Sequence, residues 1–369
     1  MLLPLTAFGG GFEAREHIAM SQGTDAVVIG IIGIDTGKNT LHLVGLDDQG
    51  TVVLREKLAR SRIRTRLANV PRTQIGIEAG MGTHYVAREL IALGHDVRQV
   101  PPAYAKPFRQ THKNDFRDAY VIAEAVRRPS TRCVPVKTDD QLDLQALHRV
   151  RSRLVGQRTA VINQVLLPFG ARHRCPPRAS LFASAAPGDL AKRIDVLSPR
   201  LIRIIEDLSR DWRRLDERVE HVTEEIEQLA HGSGSCRQLM TVPGIGPLIG
   251  SAMVAAIADG AAFAKGRDFA AWLGLVPKQM STGDRTILGR ISKRGNRYLR
   301  MLFMQGARVI LLRPTNWAKH SFGPWLMAAS KRLHHNVLAT ALANKLARIA
   351  WTVLAQRRSY ETRVIAGAV

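Results

Sequence analysis

The chain is 369 residues long and strongly basic, since 54 Lys and Arg residues against 31 Asp and Glu residues give a formal net charge of +23. Hydrophobic residues make up 45% of the chain and charged residues 23%, which excludes a wholly disordered protein and predicts a packed core. A positive excess of this size repels itself in a compact protein unless a polyanion neutralises it, so nucleic acid is the expected partner. A merely solvated basic surface is the alternative.

Cysteine usage and hydropathy indicate a cytoplasmic protein. The three cysteines, Cys133, Cys175 and Cys236, lie far apart without a CxxC pair, which argues against a zinc site and against a disulfide framework. No stretch approaches the roughly 18 uninterrupted apolar residues of a membrane span, so no membrane partner is expected. Residues 1–25 have no basic segment ahead of their short apolar run, which predicts a disordered leader, with Met20 as an alternative start.

Residues 26–135 predict an α/β domain. The β-branched run VVIGIIGIDTGK predicts a buried central strand, and LHLVGLDDQGTVVLREKL predicts a hairpin. TQIGIEAG and DVRQVPP predict two further strands, with a helix over 83–93 between them that Gly94 ends. DFRDAYVIAEAVRR predicts another helix. Hairpin strands followed by strands that alternate with helices indicate a mixed sheet.

Residues 136–236 predict two long helices, one over 138–168 and one after a proline- and arginine-rich break, with a linker over 231–236. In the second helix apolar residues recur at alternating spacings of three and four, namely at Leu201, Ile205, Leu208, Trp212, Leu215, Val219, Val222, Ile226 and Leu229. This heptad pattern predicts a coiled-coil seam that joins copies of the chain into a dimer or tetramer. The alternative is one amphipathic helix packed on its own domain. Residues 237–357 predict a compact α-helical domain, followed by a disordered tail over 358–369.

Four carboxylates are placed where strands or helices end. Asp35 and Glu78 follow buried strands, and Asp115 and Asp118 share one face at the start of a helix. Carboxylates that converge in a basic chain predict a hard cation between them, Mg²⁺ or Mn²⁺, and two such ions can stabilise the attacking and leaving oxygens of a phosphodiester. As alternatives, Asp115 is a helix N-cap and Asp118 a first-turn charge, or Asp35 begins the phosphate loop of an actin-like kinase.

Two C-terminal segments predict contacts with nucleic acid. VPGIGP, with Gly244 and Gly246, predicts a turn whose amides approach a phosphate as in a helix-hairpin-helix, or else a plain connecting turn. PKQMSTGDRTILGRISKRGNRYLR predicts an anion pocket with Ser281 and Thr282 in a central loop, where cations stabilise a phosphate attacked by a hydroxyl. A phosphate-binding loop without a covalent role is the alternative. The cations are Lys278, Arg285, Arg290, Lys293, Arg294, Arg297 and Arg300. His84 is expected at the surface or behind the acids.

The segments IGIDTGK, IEAGMGTHYVARELIALGHDVRQVPP, KNDFRDA, VPGIGP and LGLVPKQMSTGDRTILGRISKRGNRYLR together resemble the DEDD transposases of insertion-sequence family 110, in its 1111 branch. The resemblance extends from about residue 29 to about residue 312. It implies an N-terminal RuvC-like domain with an RNase H fold, a coiled coil, and a C-terminal transposase domain that bears a serine nucleophile. It also implies a relation to the invertase that flips pilin genes.

The same resemblance implies RNA-guided recombination at the bacterial nucleoid, in which a structured RNA encoded beside the gene pairs with donor and target DNA. The acidic tetrad carries over to Asp35, Glu78, Asp115 and Asp118. The nucleophile carries over to Ser281, with Thr282 as the alternative, because in other branches the serine directly precedes the glycine. The expected protein is therefore a site-specific DNA recombinase. A Holliday-junction-type nuclease that uses the tetrad and water is the first alternative, and a non-catalytic nucleic-acid-binding protein is the second.

Overall fold

The described residues form two compact units that divide between Val134 and Pro135, here called the N-terminal and the C-terminal unit. The computed structural model describes residues 28–105, 107, 114–170 and 198–361. The predicted leader over 1–25, the proline- and arginine-rich break, and residues 362–369 of the predicted tail lie outside the described residues.

A mixed sheet with helices builds the N-terminal unit. Its described strands are β1 (Ile31–Thr36), β2 (Thr40–Leu46), β3 (Val52–Ala59), β4 (Gln74–Glu78) and β5 (Asp96–Val100). They lie in the order β3-β2-β1-β4-β5, in which β1, β2 and β3 are antiparallel neighbours and β4 and β5 run parallel to β1. Its described helices are α1 (Ile63–Leu67), α2 (Thr83–Ala92), α3 (Pro102–Ala105) and α4 (Asp115–Arg127). This five-stranded sheet is consistent with the predicted RNase H-like domain.

The core of the N-terminal unit follows the alternation of side chains along its strands. Ile32 and Ile34 on β1 are fully buried on one face of the sheet, and α4 packs against the opposite face. Gly94, with a φ of +94°, follows α2 as the left-handed residue that ends it. The predicted strands and the helices near 83–93 and after Asn114 are therefore confirmed, whereas the short helices α1 and α3 were not predicted.

The C-terminal unit consists mostly of helices. Its described helices are α5 (Asp139–Gly170), α6 (Pro199–Gly232), α7 (Gly234–Met240), α8 (Pro247–Ile257), α9 (Gly266–Trp272), α10 (Arg297–Leu311), α11 (Gly323–Ser330) and α12 (His335–Ala355). Two strands, β6 (Pro277–Thr282) and β7 (Arg285–Ile291), pair only with each other as a hairpin. Phe269 and Phe303 are fully buried in a core to which α8, α9, α10 and α12 contribute.

Three predictions for the C-terminal half are wrong. The domain predicted to be α-helical contains the β6–β7 hairpin, whose strands bury no face and therefore lack the apolar alternation that predicts strands elsewhere. The stretch 231–236, predicted as a linker, is helical on both sides of Ser233, and Cys236 is buried. The predicted tail begins in packed structure, because the Tyr360 amide donates to the Thr241 hydroxyl at 2.8 Å.

The heptad pattern lies on α6, and much of it faces α5 of the same chain. Arg151 donates to Thr223 and Arg158 pairs with Asp216, so the two helices run antiparallel. Val219 and Ile226 of the pattern are buried, whereas Leu229 is 50% exposed. For the described residues the apolar stripe is thus an intrachain packing face in large part, which is the alternative to an intersubunit seam. Self-association stays a prediction.

One described helix, α12, is long and apolar enough to cross a membrane by length and composition, and half of its most apolar window is buried inside the chain. Leu338, Leu342 and Leu346 on this helix lie in the core of the C-terminal unit. A core helix passes the same test, so this helix is weak evidence for a membrane span.

Candidate catalytic and nucleic-acid-binding sites

The four acids of the predicted tetrad lie at one edge of the mixed sheet. Asp35 is near the end of β1 and Glu78 ends β4, and the parallel register of the two strands sets these acids side by side. Asp115 and Asp118 lie in the first turn of α4, which packs against β1 and β4. The fold therefore brings together residues that are up to 83 positions apart in the sequence.

Gly33 allows α4 to approach the sheet closely. It shares its face of β1 with Asp35, because side chains two residues apart on a strand point the same way. A Cβ atom at Gly33 would collide with the carbonyl oxygen of Ala119 and approach Ala123, both on α4. Any other residue there would push the helix away, and with it the two acids in its first turn.

Asn114, not Asp115, is the N-cap of α4. Its side chain accepts a hydrogen bond from the Phe116 amide at 2.9 Å, which satisfies one of the unpaired donors at the start of the helix. The interpretation of Asp115 as a cap is therefore wrong. The side chain of Asp115 is 57% exposed, whereas Asp118 is only 8% exposed and lies on the side of the helix that meets the sheet.

The acids lie close enough for their charges to interact. Burial raises the pKa of the Asp35 carboxyl, and the carboxylates of Asp118, Asp115 and Glu78 raise it further, whereas His42 lowers it. Four carboxylates are the oxygen donors that Mg²⁺ and Mn²⁺ prefer, and a cation would relieve this repulsion. Within the described part of the chain, no three acidic, His or Cys side chains already surround a common point. The donor set fits a divalent cation, which would have to draw the carboxylates together.

The fold also places His42 beside the acids, a residue that the sequence patterns did not single out. His42 lies on β2 directly opposite Asp35, is 6% exposed, and packs the edge of its ring against Phe116. Its Nδ1 atom lies 3.7 Å from Oδ2 of Asp115 and has no hydrogen-bond partner among the described residues. The signal that could have found it is its cross-strand position, since the predicted hairpin brings this histidine opposite Asp35.

His84 is buried, so the first of its two predicted positions, at the surface, is wrong. It is 5% exposed, and the side-chain amide of Gln99 donates to its Nδ1 atom at 3.0 Å. The same amide lies 3.3 Å from the Thr83 hydroxyl. His84 thus belongs to a hydrogen-bonded group between α2 and β5.

Ser281 and Thr282 lie at the end of a strand and not in the predicted loop. They are the last residues of β6, where Thr282 pairs with Arg285 across a two-residue turn and Ser281 pairs with Thr286. Successive residues of a strand point to opposite faces, so the two candidate nucleophiles face opposite sides of the hairpin. Each candidate therefore has different neighbours.

The two faces of the hairpin offer different chemistry. The side-chain amide of Gln279 donates to Oγ of Ser281 at 2.8 Å, on the face shared with Thr286. Arg285, by contrast, is directly opposite Thr282 on the other face. The hydrogen bond from Gln279 thus orients the hydroxyl of Ser281. The cation nearest to either hydroxyl in the strand pairing, Arg285, lies on the face of Thr282.

The predicted cations of this segment divide into an exposed group and one anchoring residue. The exposed residues are Lys278, Arg285, Arg290, Lys293, Arg294 and Arg297. Arg300 is half-buried, and its guanidinium donates to the carbonyl oxygens of Leu273 at 2.7 Å and Arg294 at 3.1 Å. Arg300 therefore stabilises the base of the hairpin by donating two hydrogen bonds to backbone carbonyls.

The VPGIGP segment forms a turn that begins α8, as predicted. Gly244 has a φ of +79°, and a Cβ atom there would lie 2.7 Å from the Ile310 side chain, so its close packing on α10 requires glycine. Gly246 is the N-cap of α8 with Pro247 at the first helical position, and nothing lies within 4 Å of where its Cβ would be. A side chain would therefore find open space at Gly246 and none at Gly244. A cavity beside the turn is lined in part by Arg313, Asn316, Lys319 and His320.

Two family models match the chain. The model DEDD_Tnp_IS110, described as a transposase, matches residues 32–167, and the model of the transposase IS116/IS110/IS902 family matches residues 236–322. The first range contains the four acids, and the second contains the VPGIGP turn and the β6–β7 hairpin.

Curated proteins from several bacteria are similar over most of the chain. A probable family 20 transposase of Pseudomonas aeruginosa is 39% identical over 89% of this chain and 98% of its own length. The transposase for insertion sequence element IS1328 of Yersinia enterocolitica is 37% identical over 88% of this chain and 97% of its own length. The transposase for insertion sequence element IS1111A of Coxiella burnetii is 34% identical over 90% of this chain and 91% of its own length. The chain is therefore a DNA transposase of an insertion sequence, and it belongs to the IS110 family of DEDD transposases.

Proposed function

We propose that this transposase cuts and rejoins DNA with a divalent-metal site at its acidic tetrad and a serine nucleophile on its β6–β7 hairpin. The observation that carries the metal site is the placement of four carboxylates at one edge of the sheet, and burial together with the other three acids raises the pKa of Asp35 there. Mg²⁺ or Mn²⁺ held by Asp35, Glu78, Asp115 and Asp118 would supply Lewis-acid stabilisation of the attacking and leaving oxygens of the phosphodiester.

The proposed role of Ser281 is to attack the phosphorus atom. Its Oγ–P bond forms as the bond from phosphorus to one DNA oxygen breaks. The serine hydroxyl gives up its proton to water and the departing DNA oxygen takes one up, so the protons balance. Because Gln279 donates to Oγ, the serine's own hydrogen stays available for removal. Reversal of the step by a hydroxyl of the partner strand releases the serine and rejoins the DNA. Exposed cations of the same segment would neutralise charge that develops on the phosphate.

A covalent adduct on a denaturing gel tests this proposal. Incubation with DNA that spans an end of the element and Mn²⁺ should give a protein–DNA band that Ser281→Ala abolishes and Thr282→Ala retains. Because the two hydroxyls lie on opposite faces, loss in Thr282→Ala alone would assign the nucleophile to Thr282. Cleavage without an adduct in the wild type would contradict the serine mechanism and favour the metal-and-water nuclease.

A guide RNA and self-association complete the proposal. The net charge of +23 exceeds what a single anionic site requires, and it suits a complex with donor DNA, target DNA and a structured RNA. Expression of the gene with its flanking DNA, followed by sequencing of the nucleic acid that copurifies, tests the RNA. Recovery of one structured transcript from beside the gene supports it, whereas bulk cellular RNA in proportion to abundance contradicts it. The proposed contact between copies of the chain is formed by exposed apolar residues of α6. The proposed place of action is the bacterial nucleoid.

A further inference from the structure

The β6–β7 hairpin is exposed on both faces. Every residue of β6 and all but the last of β7 are exposed, and these include Met280 at 61%, Ile287 at 41% and Leu288 at 65%. A two-stranded hairpin is marginally stable without a covering layer, so large apolar side chains on both faces are unusual. The hairpin is therefore built to be covered by something outside the described residues.

The base of the hairpin is held firmly. The Ser292 amide donates to the Val276 carbonyl at 2.8 Å, and the Lys293 amide donates to the Gly274 carbonyl at 3.1 Å. Arg300 adds its bonds to backbone carbonyls at the same place. Flexibility of a loosely attached ribbon is thus not the reason for its exposure.

Met280 and Ile287 form a cross-strand pair on the face opposite Ser281. They are directly opposite each other in the ladder, and the next pair on their face is Thr282 with Arg285. Side chains in such a pair touch, so Met280 and Ile287 make one apolar surface with a cation beside it. Ser281 points away from this surface, as successive strand residues do.

Charge decides which partner fits this face. Residues 277–291 carry three cations and one acid, so two copies of this hairpin would repel each other, whereas an anionic partner would be attracted. Duplex DNA supplies the complementary charge, and β-ribbons of DNA-binding proteins enter its major or minor groove. Proteins that bind the minor groove insert apolar side chains such as Met and Ile between base steps, where these side chains act as wedges that partly unstack neighbouring base pairs.

We propose that Met280 and Ile287 form an apolar wedge that unstacks a base step of the DNA. The opposite face of the hairpin, which carries Ser281, then faces the sugar-phosphate backbone of the DNA. This inference deepens the proposed function, since the wedge would open the duplex at the step where the strand is cut and exchanged. The unstacking itself requires neither the serine nor the metal site, so the two proposals can fail separately.

Permanganate footprinting tests the wedge, because permanganate oxidises unstacked thymines. The full-length protein is bound to a supercoiled plasmid that carries the insertion element and its flanks, without divalent cation. The variants are Met280→Ser with Ile287→Thr, and as a matched control Leu288→Ser, which removes an equally exposed apolar side chain from the other face. Because the base step stays stacked without the wedge, thymine reactivity should fall about tenfold or more, with gel-shift affinity nearly unchanged. Leu288→Ser should keep the wild-type footprint.

Three outcomes would overturn the wedge: no reactive thymines with the wild type, an unchanged footprint in the double variant, or equal loss in Leu288→Ser. If the double variant instead halves the mass measured by light scattering, the face binds a second copy of the chain. Circular dichroism checks that the variants fold, and Ile287→Thr alone serves if the double variant does not. Ser281→Ala should keep the footprint, which separates this inference from the serine mechanism.

Discussion

The Nδ1 atom of His42 lies 3.7 Å from Oδ2 of Asp115, across the join between the sheet and the first turn of α4. His42 is also directly opposite Asp35 in the β1–β2 ladder, so one imidazole lies between two acids that belong to different elements. A slight shift of α4 would turn the 3.7 Å approach into a hydrogen bond. His42 is therefore placed to fix the orientation of the Asp115 carboxylate.

Replacement of His42 tests that positioning role. Residues that orient metal-binding carboxylates typically change activity or metal affinity by about 10–100-fold when removed, and we expect this loss of cleavage and of Mn²⁺ affinity in His42→Ala. His42→Asn, which retains a donor near the position of Nδ1, should recover part of both. Mn²⁺ binding is measured by electron paramagnetic resonance.

The matched control is His95, which is equally buried in the same unit but hydrogen-bonds Leu67 and Thr73. His95→Ala should lower stability without a change in Mn²⁺ affinity per folded molecule. Equal Mn²⁺ affinity in His42→Ala and the wild type would show that His42 only fills space.

Asp35 should destabilise the metal-free protein at neutral pH. Because its pKa in the folded chain is raised by burial and by Asp118, Asp115 and Glu78, its favourable contribution is present at low pH and is lost as the pH rises through that pKa. Asp35→Asn should therefore raise the melting temperature at pH 7 in the presence of a chelator, and much less at pH 3.5. Mg²⁺ should stabilise the wild type and not the variant, while cleavage is abolished. A lower melting temperature for Asp35→Asn at pH 7 would argue against repulsion among the acids.

The central strands of the N-terminal sheet, β1, β2 and β4, were predictable because they are buried on both faces. Apolar runs such as IGIIGID and QIGIE can form little else than central strands, and strand ends then place Asp35 and Glu78 at one edge. The β6–β7 hairpin was not predictable by the same rule, since exposed strands need no apolar alternation. Its two-residue turn, Gly283-Asp284, was the remaining signal for a hairpin.

The acids of the candidate site were predictable from the sequence, whereas the histidine beside them, His42, was not. Asp115 and Asp118 stand out because acids three residues apart at the start of a helix share a face. His42 lies in an apolar strand and becomes significant only through the pairing of β2 with β1. Arg300 was predicted to bind an anion together with the other cations of its segment. Its position one turn into α10 instead directs its guanidinium to backbone carbonyls.

Two faces of α6 separate packing within the chain from contact between copies. Ile226 is fully buried, so Ile226→Lys buries an unpaired charge, which costs several kcal/mol and should disrupt the α5–α6 pair. Ile204 and Leu229 are 44% and 50% exposed, so lysine at both should leave helicity intact and reduce the mass of any oligomer in light scattering. If mass is unchanged in the double variant while circular dichroism is normal, α6 does not join copies of the chain.

His148 should make the C-terminal unit sensitive to acid. It is 4% exposed between the Tyr298 hydroxyl and the Ser251 hydroxyl, each at 3.0 Å, and Ser251 donates its hydrogen to the Pro247 carbonyl. Burial, with a smaller effect of Arg151, lowers the pKa of His148 to about 4. The neutral imidazole therefore accepts a hydrogen bond from Tyr298 and donates one to Ser251. A second proton on the imidazole would displace the hydrogen bond from Tyr298.

The lowered pKa sets the direction of the pH effect. The unfolded chain takes up the proton near pH 6.5 and the folded chain only near pH 4, so stability falls as the pH is lowered through this window. The full loss is about 3 kcal/mol, of which about 2 kcal/mol is reached at pH 5. His148→Gln should be less stable at pH 7.5 but lose less on acidification, as measured by urea unfolding. Tryptophan fluorescence reports this unit alone, because the tryptophans are Trp212, Trp272, Trp317, Trp325 and Trp351. A parallel loss in the variant and the wild type would place the acid sensitivity elsewhere.

Arg297 and Arg300, one helical turn apart on α10, should differ in what they bind. Arg297 is exposed, so Arg297→Ala should reduce the slope of log affinity for DNA against log salt concentration by about 1, as expected for one lost phosphate contact. Arg300 already donates to the Leu273 and Arg294 carbonyls, and its removal leaves these acceptors unpaired. Arg300→Ala should therefore cost about 1–3 kcal/mol of unfolding free energy by tryptophan fluorescence and keep the salt slope. Both hydrogen bonds come from one guanidinium nitrogen, so a lysine ammonium could donate both, but the lysine side chain is one atom shorter, and Arg300→Lys should recover only part of that stability. A reduced slope in Arg300→Ala with unchanged stability would mean that its guanidinium turns towards the phosphates when DNA binds.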